Sequence, residues 1–278
     1  MWRLLVRLDF YQRMLPPEAW RTLARSVIAH HPIFPLVHES PFSRRAFDRP
    51  RGYAGDAGTL DLVYRCAPIP ADATPRGRRM SECELEADTS RSIRARLSLM
   101  TEAIDDTANQ RPRPRILSVA CGHLREAQRS CAMADAAVGE LIAFDNDAGS
   151  LALVSREQPQ VTTAVGSVRQ IVAGDLRWSG LDLIYSSGLY DYLSQRFARV
   201  LTRTLFEMLK PGGRLIVANM TPETNAAYLE AFMDWWMTYR DEEDMRDLAA
   251  SIPHTDRAWS RTFRQPGGHV VFLEVVKA

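Results

Sequence analysis

The chain changes character near residue 110. Beyond it, short apolar runs alternate with helical patterns. Ile116–Ala120 is a compact apolar run that stops at Gly122, and Glu140–Phe144 is a second, ending at Asp145. Val161–Val165 is rich in β-branched residues and ends at Gly166, while Leu181–Tyr185 runs into Ser186-Ser187-Gly188. Arg214–Ala218 follows Lys210-Pro211-Gly212-Gly213, which has strong turn chemistry. Leu193, Phe197, Val200, Leu201, Leu205 and Met208 recur at helical spacing between the last two runs. Strands alternating with helices predict βαβ units and a parallel sheet. Ala258–Arg264 and His269–Val275, joined by Gln265-Pro266-Gly267-Gly268, predict an antiparallel hairpin as the ending.

The first 110 residues lack this alternation. Pro16-Pro17-Glu18 opens a helical stretch through Ile28, with proline in the first turn that tolerates it. His31 to Asp61 holds Pro32, Pro35, Pro41, Pro50, Gly52, Gly55 and Gly58, too many breakers for one long element. Ala67–Arg79 reads as a polar linker. Thr89–Ala108 predicts a helix with Ile93, Leu97, Met100 and Ile104 on one face and Thr89 or Ser90 as its cap. The Arg-Pro run 111–115 marks a boundary. The expected organisation is a helical N-terminal extension over 1–110 and an α/β domain over 111–278, without internal repeats.

Composition narrows the classes. At 278 residues, 46% hydrophobic and 25% charged, the chain is an ordinary globular one that can bury a substantial core. A formal net charge of +1 gives no global pull toward nucleic acid or membrane, and the local arginine clusters read as solvated loops. The four cysteines form no C-x-x-C pair and have no histidine at zinc-ligand spacing. No metal site is therefore expected, and reduced thiols fit a cytoplasmic protein. Met1–Asp9 is interrupted by charge, unlike a signal-peptide core, and no apolar run reaches the ~18 residues of a membrane span.

In an open parallel sheet ligands bind beyond the carboxyl ends of the strands. There the chain carries Ala120-Cys121-Gly122-His123, small enough for a ligand to approach the backbone, and the next helix offers its first amides. Asp145 ends the second strand 23 residues after Gly122. It either caps the helix that follows or accepts the two hydroxyls of a ribose.

Three segments, Ile116–Gly122, Ala143–Asp147 and Leu209–Leu215, together resemble class I S-adenosylmethionine-dependent methyltransferases in order and spacing. The resemblance covers about residues 110–278. It implies a Rossmann-like sheet and S-adenosylmethionine as cofactor, with S-adenosylhomocysteine as product. Ala120, Cys121, Gly122, Glu126, Asp145, Asn146, Ser187 and Gly188 would hold it. Ser167 and Val168 are expected at the adenine, because Asp175 in Gly174-Asp175-Leu176 stands only 11 residues before Ser186, too few for a helix and a return. The pattern departs from the family at Ser118, where an acid is usual, and at Ala120 and Leu124, where glycines are usual. Glu126 or the N-terminal segment would then hold the amino-acid end. Arg45–Asp56, Gly166–Arg169, Gly188–Leu193 and Trp235–Arg240 are similar to the bacterial proteins that make a 3-hydroxy fatty acid methyl ester signal, the extracellular-factor type. That likeness implies methyl ester formation on a small carboxylate.

A carboxylate is already nucleophilic near neutral pH and needs no general base, whereas a phenol or ammonium would need one. Tyr190 and Asp191 are the foremost candidate groups, with His123 and His38 behind them. Arg51-Gly52-Tyr53-Ala54-Gly55-Asp56 reads as a tight loop over a ligand, with Tyr53 touching cofactor or acceptor and Arg51 on the acceptor side. Ala226–Ile252 reads as helical, with Trp235, Tyr239 and Arg240 as acceptor candidates; Arg240 either pairs a carboxylate bidentately or pairs Glu242 or Asp244 on the helix. The G-x-G-x-x-G of a dinucleotide oxidoreductase is missing after the first strand, and near-neutral charge disfavours an RNA substrate. N- or O-methylation of a bacterial secondary metabolite, and an inactive S-adenosylmethionine-binding protein, are the remaining alternatives. The partner expected is a small-molecule methyl acceptor, with neither nucleic acid nor membrane; the sequence carries no signal for the oligomeric state.

Overall fold

The computed structural model describes residues 2–265 and 267–278. Met1, and Pro266 in the expected hairpin turn, lie outside them. The chain divides into two compact units, one of Met1–Ile93 with Pro222–Met237, the other of Arg94–Thr221 with Thr238–Ala278. The division thus falls inside the helix Asp88–Gln110 and not after it, and part of the α/β half joins the N-terminal unit.

The second unit holds a seven-stranded sheet: β1 Arg115–Val119, β2 Glu140–Asp145, β3 Thr162–Val165, β4 Leu181–Ser186, β5 Leu209–Met220, β6 Arg257–Arg264 and β7 Val270–Lys277. The order is β3-β2-β1-β4-β5-β7-β6. β1 to β5 run parallel, and β7 pairs antiparallel with both β5 and β6. All six positions of β4 are buried, as a central parallel strand covered on both faces requires. Leu117, Val119, Ile142, Ile184, Leu215, Val217 and Leu273 from the strands pack with Ala198, Leu201 and Leu205 of the helix Gln195–Glu207.

The turn expected at Lys210–Gly213 is present, but inside β5. Leu181 pairs with Leu209 and Leu183 with Arg214, so a two-residue step on β4 faces a five-residue step on β5. The extra residues loop out. Gly212 has φ 72°, and a Cβ on Gly213 would stand 2.7 Å from the Leu181 carbonyl oxygen. Both glycines are needed for backbone reasons.

The N-terminal unit is helical, and its prolines start helices more often than they break them. Ser40 and Thr74 cap helices that open with Pro41 and Pro75, within segments expected to be irregular. Asp56 caps Ala57–Val63 through the Thr59 N–H at 2.7 Å and pairs with Arg45 at 3.0 Å. The expected helix to Ile28 is regular only over Pro17–Thr22, and continues as a π turn and a 3-10 turn. Within this unit Glu84 is buried, accepting from Ser43 Oγ at 2.7 Å and from Ser40 and Tyr228, and burial raises its pKa.

The single helical pattern over Ala226–Ile252 separates into Ala226–Met233, an extended stretch and Glu242–Leu248. The first helix ends where Asp234 turns left-handed at φ 46°. In the second unit Arg240 is 1% exposed. Its Nη1 donates to the Tyr190 carbonyl at 2.7 Å and to Asn219 Oδ1, Nη2 to the Leu193 carbonyl at 2.7 Å, and Nε to Gln195 Oε1 at 2.7 Å. This guanidinium ties the turn after β4 to the end of β5, and the tertiary bonds override the helical pattern. Arg240→Met strands these acceptors in the interior, so it should cost about 3 kcal/mol of stability. The fall should appear as a lower urea midpoint at unchanged denaturant slope.

Candidate functional site

The segment after β1 has an unusual backbone. Ala120, Gly122 and Leu124 all adopt left-handed conformations, with φ of 55°, 54° and 51°. Glycine does this freely, while alanine and leucine pay about 1 kcal/mol or more. The Leu124 side chain is fully buried, and its burial offsets the strain. Hydrogen bonds fix the shape. The Cys121 N–H donates to the Phe144 carbonyl at 3.1 Å and the Leu124 N–H to the Cys121 carbonyl at 2.9 Å. The Gly122 N–H donates to Asp145 Oδ2 at 2.8 Å, and the Asp147 N–H to Asp145 Oδ1 at 2.9 Å.

Asp145 is therefore not the cap of the next helix. Asp147 is, accepting from the Gly149 N–H at 2.9 Å ahead of Ala148–Glu157. Asp145 instead clamps the β1 turn to the end of β2. It is buried, and burial raises its pKa against the lowering effect of the backbone N–H donors of Asp147, Gly122 and Asn146. An ionised carboxylate has about four acceptor positions, so the clamp keeps capacity for a further donor such as a sugar hydroxyl.

Behind the turn, Glu126 is buried at the start of the helix Arg125–Arg129. The Tyr185 hydroxyl donates to Glu126 Oε1 at 2.9 Å, with Ser118 Oγ at 3.5 Å from the same oxygen. Ser118 and Tyr185 are register partners on β1 and β4. Glu126 thus places a carboxylate beside Ser118, where the sequence lacks one. Burial raises the pKa of Glu126 and of Tyr185, and pushes the Cys121 thiol well up, so Cys121 stays protonated.

At the end of β3 the Gly166 N–H donates to the Asp145 carbonyl at 3.0 Å. Ser167 starts the helix Val168–Ala173, with its N–H on Gln170 Oε1 at 2.9 Å. Gly174, at φ 87°, ends that helix, so Asp175 lies past it while Ser167 and Val168 stand directly after the strand. At the end of β4 Ser186 Oγ donates to the Val119 carbonyl at 2.9 Å, and Ser187 and Gly188 follow, half-buried. The second unit therefore gathers Ala120, Cys121, Gly122, Asp145, Asn146, Ser167, Val168, Ser187 and Gly188 along the carboxyl ends of β1 to β4. The strand order reverses between β1 and β4, the switch point where open α/β sheets place ligands.

The chemical candidates stand differently. Tyr190 is fully buried, its hydroxyl 3.0 Å from Thr202 Oγ1, and burial holds its pKa far up. Asp191 is buried too. Its Oδ1 accepts the Met220 N–H at 2.7 Å, its Oδ2 lies 3.5 Å from Arg96 Nη1, and burial pushes its pKa up to about 6. Arg240 has the bonds already described, so it pairs neither Glu242 nor Asp244 on a helix surface and its fork is engaged by the protein. Tyr239 is half-buried. Arg51, Tyr53 and Trp235 belong to the N-terminal unit. There Arg51 is exposed and Tyr53 half-buried in a turn where Gly52 has φ 91°; Trp235 is buried.

Sequence reasoning missed Arg96. It sits three residues after Ile93 and four before Met100, inside the apolar stripe of the helix Asp88–Gln110. A lone arginine within such a stripe was the available signal. Among the described residues no group of three or more His, Cys, Asp and Glu is placed to hold a metal ion, and no helix is long and apolar enough to cross a membrane.

Neither a protein-family model nor a curated relative matches the chain. Solved structures do. A possible exported protein of Bordetella parapertussis is similar at 17% identity and TM-score 0.65, over 91% of this chain and 99% of that one. The S-adenosylmethionine-dependent methyltransferase SibL, in its apo form, is similar at 16% identity and TM-score 0.53, over 88% of this chain and 74% of that one. Magnesium protoporphyrin IX methyltransferase of Synechocystis, with bound S-adenosylhomocysteine, is similar at 13% identity and TM-score 0.51, over 68% and 87%. The fold is the Rossmann-like one of these methyltransferases, with the antiparallel β7 between β5 and β6.

Two measurements follow from this geometry. Ala120→Gly relieves a left-handed alanine and should raise stability by about 0.5–1 kcal/mol, read as a higher urea midpoint. Asp191 has a folded pKa raised to about 6, so its contribution to stability is full at low pH and is lost as pH rises toward 6. Asp191→Asn should therefore lose less stability than the parent between about pH 4 and pH 6.

Proposed function

We propose that the chain is an S-adenosylmethionine-dependent methyltransferase acting on a small molecule. The observation that carries this reading is the left-handed turn after β1, clamped to Asp145 at the β1/β4 switch point. Asp145 would orient the ribose through its remaining acceptor capacity. Ser167 and Val168 would border the adenine, and Glu126 would meet the amino-acid end. Ala120, Cys121, Gly122, Asn146, Ser187 and Gly188 would supply small side chains and backbone groups along the same rim. The cofactor itself supplies a methyl group activated on a sulfonium.

The acceptor we favour is a carboxylate, such as a hydroxy fatty acid converted to its methyl ester. Tyr190 and Asp191 are both buried and bonded within the protein, so neither stands ready as a general base. A carboxylate acceptor needs none. The likeness of several segments to the extracellular-factor proteins supports the same acceptor and a bacterial, cytoplasmic setting. Arg51, Tyr53, Trp235 and Tyr239 remain acceptor-side assignments carried by the sequence.

Calorimetric titration separates the readings. S-adenosylhomocysteine should bind and NAD should not, and Asp145→Asn should weaken binding at least tenfold, about 1.4 kcal/mol. Incubation with methyl-labelled cofactor and a 3-hydroxy fatty acid should give a base-labile methyl ester. Absence of S-adenosylmethionine binding at millimolar concentration overturns the proposal; binding without transfer to any carboxylate leaves N- or O-methylation of another acceptor, or an inactive binder. Tyr53→Ala should lower either cofactor affinity or turnover.

A further inference from the structure

The helix Trp2–Met14 carries three arginines and a single acid. One side of it is committed to the N-terminal unit. Leu8 is buried, and Gln12 Nε2 donates to Glu230 Oε2 at 2.7 Å, the oxygen that also accepts the Trp20 indole N–H at 2.7 Å. Glu230 is itself buried, on the helix Ala226–Met233. These contacts fix which face the helix turns outward.

That outward face is apolar and basic at once. Val6, Phe10 and Met14 recur every four residues and so form one stripe, and they are 49%, 57% and 67% exposed. Tyr11 is exposed beside them, its ring edge-on to Phe10 with centroids 5.7 Å apart. By helical spacing, exposed Arg7 flanks the stripe on one side and exposed Arg13 on the other. Asp9, the single acid, is half-buried and off this face. Single exposed apolar side chains are ordinary, but four within nine residues of one helix make a patch.

The two flanking charges decide the occupant. A second copy of the chain would bring the same face, so arginines would meet arginines without an acid between them. An anionic lipid surface satisfies both features. The apolar stripe enters the boundary of the acyl chains, and the arginine stems lie along it with their guanidinium groups among the phosphates. The formal net charge of +1 gives no global pull, yet each cation held at an anionic surface strengthens binding roughly fivefold. We propose that this face of the helix Trp2–Met14 docks on a membrane surface that carries anionic lipid. This revises the expectation, based on net charge, of no membrane partner, and it is independent of the methyltransferase reading.

The test is co-sedimentation of the full chain with two kinds of vesicle: phosphatidylcholine alone, and phosphatidylcholine with phosphatidylglycerol in equal parts. The mixed vesicles should bind at least about tenfold tighter. Phe10→Ser combined with Met14→Ser should weaken binding to the mixed vesicles at least about tenfold. Arg7→Gln combined with Arg13→Gln should remove most of the preference for the anionic lipid, as should raised salt in the unmodified protein. All four side chains are exposed, so the urea midpoint should hold in both variants. Mixed vesicles should also slow amide hydrogen exchange across Val6–Met14 in the unmodified protein, a readout that needs no variant. Failure of the unmodified protein to bind mixed vesicles, or binding that neither pair of substitutions weakens, overturns the proposal. So does a dimer seen by light scattering that Phe10→Ser with Met14→Ser dissociates while vesicles bind neither form, which assigns the face to a second copy.

Discussion

One carboxylate sets the geometry of the rim. Asp145 takes the Gly122 N–H on one oxygen and the Asp147 N–H on the other, joining the turn after β1 to the end of β2. Its own carbonyl takes the Gly166 N–H, which adds the end of β3. Three strand ends are thereby registered against each other by groups of a single residue. The turn can then hold Ala120 and Leu124 in left-handed conformations that neither would adopt alone.

Burial explains why the ionisable groups near this rim behave as they do. Glu126, Asp145 and Asp191 all have raised pKa values with desolvation as the first cause. Hydrogen-bond donors and Arg96 oppose that cost without cancelling it. A polar ligand that brings its own donors or charge to such groups replaces lost water, and gains more than it would at an exposed site.

The fold was legible because its signals are local. Apolar runs ending at Gly122, Asp145, Gly166 and Ser186 marked β1 to β4 to within a residue or two, and the Pro-Gly-Gly turn marked where the continuous ladder of β5 begins at Arg214, although β5 itself starts earlier at Leu209. That Ser167 directly follows β3 while Asp175 lies beyond the next helix was legible from chain length alone. What stayed hidden was long-range. Arg240 sits in a helical pattern, yet its bonds to Tyr190, Leu193, Asn219 and Gln195 pull it into an extended stretch. Tyr190 and Asp191 looked chemical because they follow a strand, and only tertiary packing shows them turned inward. Prolines in the first half read as breakers, but Ser40 and Thr74 make them helix starts.

The missing glycines and the missing acid are one problem with a common solution. A turn rich in glycine can close tightly on a ligand while an acid on the strand before it holds the ammonium. Here the strand carries Ser118, and the turn carries two side chains in left-handed positions. Leu124 places its bulk in the core and so fixes the start of the helix that bears Glu126. The Tyr185 hydroxyl then aims Glu126 toward Ser118. On the proposed reading, Glu126 on the helix would stand in for the acid that the resemblance expects at Ser118, and Leu124, where the resemblance expects a glycine, anchors that helix.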